Sequence, residues 1–188
     1  MPVLTVVAGP NGSGKSTLTR IAREAFQDLP ILDPDAIAKK LQNGSTGGAS
    51  AIDAGRDVLE RAAGFMAHQQ SFLVETTLSG NTYLRMMRQA KSCGYSTSLF
   101  FVGTIDVEIN LRRVAQRVMN GGHDVPEEDQ RRRYPRSMAN MRKAYELADQ
   151  AVLFDNSSKA HVRLALKDSL GLTIYQALPD WAAFIRPN

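Results

Sequence analysis

Residues 9–16 read Gly-Pro-Asn-Gly-Ser-Gly-Lys-Ser and match the phosphate-loop pattern G-x-x-x-x-G-K-[ST] at every fixed position. The motif constrains the fold because it works only between a strand and a helix. Both flanks comply. Val3-Leu4-Thr5-Val6-Val7-Ala8 is short, apolar and β-branched, the pattern of a buried strand. After the loop, Leu18, Ile21, Ala22, Ala25 and Phe26 fall on one helical stripe. Glycines in such a loop let backbone N–H groups approach phosphate oxygens with no Cβ in the way. Lys15 is expected to reach the β- and γ-phosphates, and the Ser16 hydroxyl to ligate Mg2+. Gly9, Pro10, Asn11, Gly12, Ser13, Gly14, Lys15, Ser16 and Thr17 are therefore expected to hold ATP with its magnesium ion.

The motif does not separate a switch, a motor and a kinase, so the rest of the chain must decide. Its 188 residues suit one domain, 1–188, around one core. A hydrophobic content of 43% with 22% charged residues is that of a soluble globular chain. No apolar run approaches the ~20 residues that span a bilayer. The N-terminus shows no basic stretch followed by an apolar leader, so a cytoplasmic location is expected. The single cysteine, Cys93, excludes an internal disulfide and reads as a helix-end residue.

The net charge of +4 is mild, but Arg112, Arg113, Arg117, Arg131, Arg132, Arg133, Arg136 and Arg142 concentrate in one stretch. Arginine rather than lysine favours bidentate contact with phosphate. A nucleic-acid surface is the competing reading. Against it, only Tyr134 offers an aromatic for base stacking there.

Strand and helix signals alternate along the chain. Strands are expected at 3–8, 30–33, 71–75, 96–102 and 151–154. Helices are expected after the loop, from 36, at 51–69, 81–92 and 106–119, and from about 127. Asp106 and Asp124 are the candidate caps, and Pro135 should kink the last helix. This pattern predicts an α/β chain with the P-loop NTPase fold: a five-stranded, mostly parallel sheet with helices on both faces. A helical lid at about 120–136 and a small C-terminal hairpin and helix at about 160–188 complete it. The segment 43–50 is rich in turn residues.

Ligands in such sheets gather at the carboxyl ends of the strands. That edge should carry Gly9–Ser16, Asp33 and Asp35, Glu75 and the segment after Phe154. A kinase needs a carboxylate to accept the proton of the attacking hydroxyl. Asp35 is the candidate base and Asp33 a candidate substrate contact; the alternative for each is a helix cap. Glu75 closes an apolar strand, where a carboxylate is costly unless hydrated, ligand-bound or paired with an arginine. Thr76 and Thr77 add hydroxyls in the same loop. Arg56 falls in register with Ile52, Leu59, Ala63 and Met66, so it either faces a pocket or snorkels to the surface.

Arg117 and Arg131-Arg132-Arg133 flank a glycine break. A closing lid would bring guanidinium groups onto the transferring phosphoryl group; a solvated helix face is the alternative. Asp155-Asn156-Ser157 either meets the adenine ring, through Asn156, or forms a polar turn.

Taken in order, AGPNGSGKSTL at 8–18, ILDPDAI at 31–37, FLVETTLSG at 72–80, NLRRVAQRV at 110–118, GGHDVPEEDQRRRYPRSMANM at 121–141 and VLFDNSS at 152–158 resemble the zeta-toxin family of phosphate-loop kinases, in a compact form. The resemblance implies ATP-dependent phosphorylation of a sugar hydroxyl, with UDP-N-acetylglucosamine as the substrate type. It implies Lys15 on phosphate, Asp35 as general base, Glu75 and Thr77 in the sugar-nucleotide site, Arg117 on the transferred phosphoryl and Asn156 at the adenine. Arg56 matches a basic position, and Arg132 stands in for a second lid arginine, whose place His123 occupies. Leu59, with Glu60 beside it, replaces a substrate-contacting glutamate. Toxicity and an antitoxin partner belong to the same analogy. The other readings are an ATP-dependent binding switch without phosphotransfer and a nucleic-acid end kinase.

Overall fold

The computed structural model describes residues 1–21, 26, 29–34, 36–37 and 51–186. Asp35 and the turn-rich segment 43–50 lie outside them. The order is β1 (Val3–Ala8), α1 (Lys15–Ile21), β2 (Ile31–Leu32), α2 (Ala51–Ala67), β3 (Phe72–Thr76), α3 (Thr82–Ser92), β4 (Ser96–Gly103), α4 (Val107–Met119), α5 (Glu127–Leu147), β5 (Gln150–Asp155), β6 (Val162–Asp168), β7 (Gly171–Ile174) and a 3-10 helix (Asp180–Ile185).

The strands form one sheet in the order β2-β3-β1-β4-β5-β6-β7. β1 lies between β3 and β4 and is parallel to both, with Val7 opposite Glu75 and Ala8 opposite Thr76. A parallel strand is covered on both faces, which is why β1 and β3 are buried along nearly their whole length and are apolar except at Thr5, Glu75 and Thr76. Alternation sends Leu4, Val6, Phe72, Val74, Leu99 and Phe101 to one face, against Val58 and Ala62 of α2, Met87 of α3 and Met141 of α5. Val7, Leu73 and Phe100 face the other way, where Phe26 meets Phe100 edge to face at 5.3 Å. Each fully buried large side chain contributes about 1.5–3 kcal/mol.

The sheet has seven strands rather than five. The C-terminal hairpin is not a separate appendage: β6 pairs antiparallel with β5, from Ala151 opposite Lys167 to Asp155 opposite Val162. An uncovered β5 would present a row of unpaired backbone groups. The hairpin removes that edge, and Leu164 and Ala165 are buried against it. The C-terminal helix is a 3-10 helix, and its Trp181 packs on Phe101 with 5.8 Å between centroids.

Asp106 caps α4, its Oδ1 accepting from Glu108 N at 3.0 Å. Asp124 does not cap α5. That helix starts from Pro126 with no side-chain cap, and Gln130 Nε2 donates to Val125 O at 2.7 Å instead. Pro135 sits inside α5, which runs on through it to Leu147. Cys93 is exposed at the C-terminus of α3.

Beneath the sheet, Asp149 ties α3 to β4. It pairs with Lys91, and its Oδ2 accepts from Thr97 N at 2.8 Å and Thr97 Oγ1 at 3.0 Å. Burial opposes its charge, but the bonds from Lys91 and Thr97 together outweigh that and hold the carboxyl below its ordinary range. A depressed carboxylate stabilises the fold above its unfolded pKa, about 3.9, and that stability is lost as the pH falls through the folded value. Asp149→Asn is therefore expected to lower the melting temperature at pH 7 and to matter progressively less toward pH 3. Parallel melting curves of parent and variant that stay equally far apart at both pH values would contradict this.

Candidate active site

The chain leaves β1 at Ala8 and turns at once. Gly9 N donates to Thr76 O at 3.2 Å, which seats the loop on β3, and Ser13 N donates to Pro10 O at 3.2 Å. Gly14 has φ +101°, a conformation that L side chains rarely adopt. Its carbonyl then accepts from Leu18 N at 3.0 Å as α1 begins. Lys15 Nζ donates to Pro10 O at 3.0 Å across the loop.

A cavity of about 830 Å³ opens over this loop. Asn11, Gly12, Gly14, Lys15, Ser16 and Thr17 form its floor; Glu75, Arg113, Arg117, Phe154, Asn156 and His161 stand on its walls. Glu75 reaches it from the end of β3 and is 8% exposed. Its partners are hydroxyls rather than an arginine: Ser16 Oγ donates to Oε1 at 2.6 Å and Thr19 Oγ1 to Oε2 at 3.2 Å. A carboxylate beside the motif hydroxyl makes a pair of hard oxygen donors. Mg2+ is ordinarily held by one or two such protein oxygens together with phosphates and water. No group of three or more His, Cys, Asp or Glu suited to a metal occurs among the described residues.

Arg117 lies on the cavity wall, and its Nη2 donates to His123 O at 2.7 Å in the glycine break. Arg113, one turn earlier, donates from Nη1 to Asn156 O at 2.6 Å and from Nη2 to Ser158 O at 2.7 Å. From the sequence, Arg113 counts only as one of the basic stretch, although its i, i+4 spacing to Arg117 puts both on one helix face. Thr19 and His161 were not among the expected site residues. Thr19 is three residues after Ser16, a spacing that a search for partners of Glu75 would find. His161 had no sequence signal.

Other expected site residues lie elsewhere. Arg132 is absent from the cavity wall; it pairs with Asp129 at 2.5 Å and its side chain is 54% exposed. Arg131 pairs with Glu108 at 2.5 Å and Glu127 at 2.8 Å, and Arg133 with Asp129 at 2.9 Å. The triple run is thus paired with acids of its own helix start and of α4, as a solvated face is. Such exposed pairs contribute only ~0–1 kcal/mol each. Arg56 is exposed on α2, whose packed face is Ala54, Val58, Ala62 and Met66. Of the stripe drawn through Arg56, Met66 belongs to that face, whereas Ala63 is exposed and Leu59 is 44% exposed.

Thr77 is half-buried in the loop after β3, with its Oγ1 3.1 Å from Ser79 Oγ. Asn140 of α5 donates to Leu78 O at 3.0 Å and fixes that loop. Asp33 follows β2, whose Leu32 lies opposite Val74, and so comes level with Glu75 at the same sheet edge. Its carbonyl accepts from Ile37 N at 2.9 Å.

A β1–glycine loop–α1 unit at the centre of a parallel sheet, with arginines of a later helix on the wall of its cavity, defines a P-loop kinase fold. The Zeta toxin family profile matches residues 1–163, and the chain belongs to that family. An uncharacterized protein of Haemophilus influenzae is 38% identical over 126 residues, which are 67% of this chain and 88% of that protein. Among solved structures, the AvrRxo1-ORF1:-ORF2 complex with ATP superposes with a TM-score of 0.72 at 16% identity, over 93% of this chain. This chain covers only 60% of that one's length. The PezAT chromosomal toxin-antitoxin system of Streptococcus pneumoniae gives a TM-score of 0.62 at 20% identity, over 86% of this chain and 71% of the other. No helix among the described residues is long and apolar enough to cross a membrane.

Proposed function

We propose that the chain is an ATP-dependent kinase that phosphorylates a hydroxyl of a small molecule, a UDP-sugar such as UDP-N-acetylglucosamine. The observation that carries the reading is the cavity over the phosphate loop, in which a buried carboxylate stands beside the Ser16 hydroxyl and two arginines line the far wall. ATP is the nucleotide that accompanies one of the structural relatives.

The loop N–H groups and Lys15 hold the β- and γ-phosphates. Mg2+, when bound, neutralises phosphate charge, and Ser16 with Glu75 supplies its protein oxygens. Asp33 and Thr77 are assigned to the acceptor, with Glu75 between it and the metal; Arg56, exposed on α2, would join them only by moving toward the cavity. Asp35 takes the proton from the acceptor hydroxyl. The oxygen bonds to the γ-phosphorus as the bond from that phosphorus to the bridging oxygen breaks, leaving ADP. Arg117, freed from His123, stabilises the equatorial oxygens, where the negative charge is spread. Arg132 joins it only if its pairing with Asp129 is exchanged for phosphate.

An antitoxin chain covering the nucleotide site is the proposed partner, and the cytoplasm the proposed location. The partner proposal rests on family membership and on the toxin-antitoxin assembly named for a structural relative.

The test is mass spectrometry of Mg-ATP incubated with UDP-N-acetylglucosamine and the protein. The expected product is heavier by one phosphoryl group and appears with stoichiometric ADP. Tight ATP binding with no such product from any UDP-sugar would reject the acceptor.

A further inference from the structure

Asn156 was read from the sequence as a contact to adenine. In the structure its backbone groups and its side-chain Nδ2 are engaged with the protein instead. Asn156 is 8% exposed. Its N–H donates to Gly103 O at 2.9 Å and its carbonyl accepts from Arg113 at 2.6 Å. Its side-chain Nδ2 donates to Ser13 O at 2.7 Å, inside the phosphate loop. One residue further along that loop, Gly14 O lies 3.1 Å from His161 Nε2. A carbonyl only accepts, so Nε2 carries the hydrogen. The His161 ring is itself held edge-on to Phe154, 6.5 Å between centroids. Both side chains press on the bare Cα of Gly14: a Cβ there would meet Asn156 Nδ2 and, at 2.9 Å, His161 Nε2.

A trans peptide points its C=O and the following N–H in opposite directions. Holding Ser13 O on Asn156 therefore turns the Gly14 N–H the other way, and holding Gly14 O does the same for the Lys15 N–H. Gly14 and Lys15 line the cavity. We infer that Asn156 and His161 are positioning residues for phosphate: by fixing two loop carbonyls from the cavity wall, they aim the Gly14 and Lys15 N–H donors at the polyphosphate, and Asn156 does not read the base. Arg113 acts through the same chain, since it fixes Asn156 and Ser158 by their carbonyls. Pre-aimed donors bind without reorganising, so the loss should appear in phosphate affinity whatever nucleoside is attached.

The inference rests on the cavity taking a nucleoside triphosphate, and the test separates the two. Calorimetric titrations with ATP and with inorganic tripolyphosphate, both with magnesium, would compare the parent with Asn156→Leu, His161→Phe and His161→Gln. All three changes keep the net charge. Asn156→Leu is expected to weaken both ligands by the same factor, about tenfold, as loss of a buried hydrogen bond does. His161→Phe keeps the ring against Phe154 and is expected to weaken both about threefold. His161→Gln, whose amide can still donate to Gly14 O, is expected to stay near the parent.

Weaker ATP binding with unchanged tripolyphosphate binding would make Asn156 a base contact and overturn the inference. Unchanged affinity for both ligands would overturn it as well. If Asn156→Leu does not fold, the His161 pair carries the same comparison. A parent that binds neither ligand would remove the nucleotide reading itself, and this inference with it.

Discussion

A chain carrying Asp35→Asn is expected to transfer phosphoryl groups about a thousandfold more slowly than the parent while binding ATP almost as tightly. An alcohol attacks phosphorus poorly while it keeps its proton. Asparagine has the shape of aspartate but accepts no proton at working pH, and a general base contributes about 10²–10⁴ in rate. Asp35 follows Asp33 by two residues, and Asp33 leaves β2 level with Glu75 at the edge where the phosphate loop lies. The assignment predicts a split: kcat collapses, whereas the KM for ATP barely moves, because the base touches the acceptor and not the nucleotide. ADP release measured under saturating ATP and acceptor would show it. A variant that turns over at the parental rate would remove Asp35 from the reaction.

Gly14→Ala should cost about a hundredfold in ATP affinity. The residue sits at φ +101°, where a Cβ brings about 1–3 kcal/mol of backbone strain. The added methyl would also occupy the space of Asn156 Nδ2 and of His161 Nε2. Relief requires those donors to withdraw from the loop or the loop to flatten, and either change misdirects the N–H groups that meet phosphate. Calorimetry with ATP reads the binding loss. Melting without nucleotide separates it from unfolding: for a chain of this size about 2–4 °C is expected per kcal/mol of strain. Parental ATP affinity in the variant would show that the loop tolerates a side chain, and that the close approach of Asn156 and His161 carries no function.

Helix geometry explains the fate of the arginines. Three consecutive residues on a helix point in three directions, so Arg131, Arg132 and Arg133 could not all have faced one ligand. Acids spaced three and four residues away take up their charge instead. Arg113 and Arg117 lie on one face four residues apart, and both reach the cavity. Periodicity was thus the better guide to the arginines than density of charge. At Arg56 the same criterion left a pocket and the surface both open, and the structure has it exposed, beside a packed face marked by Ala54, Val58, Ala62 and Met66.

Local pattern determined much of this protein. The glycine loop, its strand and its helix are written within residues 3–21, because backbone geometry at Gly9, Gly12 and Gly14 and the apolar run before them are short-range properties. The alternation of strands and helices fixed the α/β class, and the ends of β3 and β5 could be read as site positions because ligands collect at the carboxyl edge of a parallel sheet. Tertiary structure alone decided the rest. That the C-terminal hairpin would close the open edge of β5 depends on pairing between segments whose patterns suit any free edge. That Glu75 would be held by Ser16 and Thr19, 59 and 56 residues away, and that Asn156 and His161 would grip Ser13 and Gly14 from 143 and 147 residues away, depends on strand order. Hydrogen-bond partners across a sheet leave no periodic trace in a chain; they exist only once the strands lie side by side.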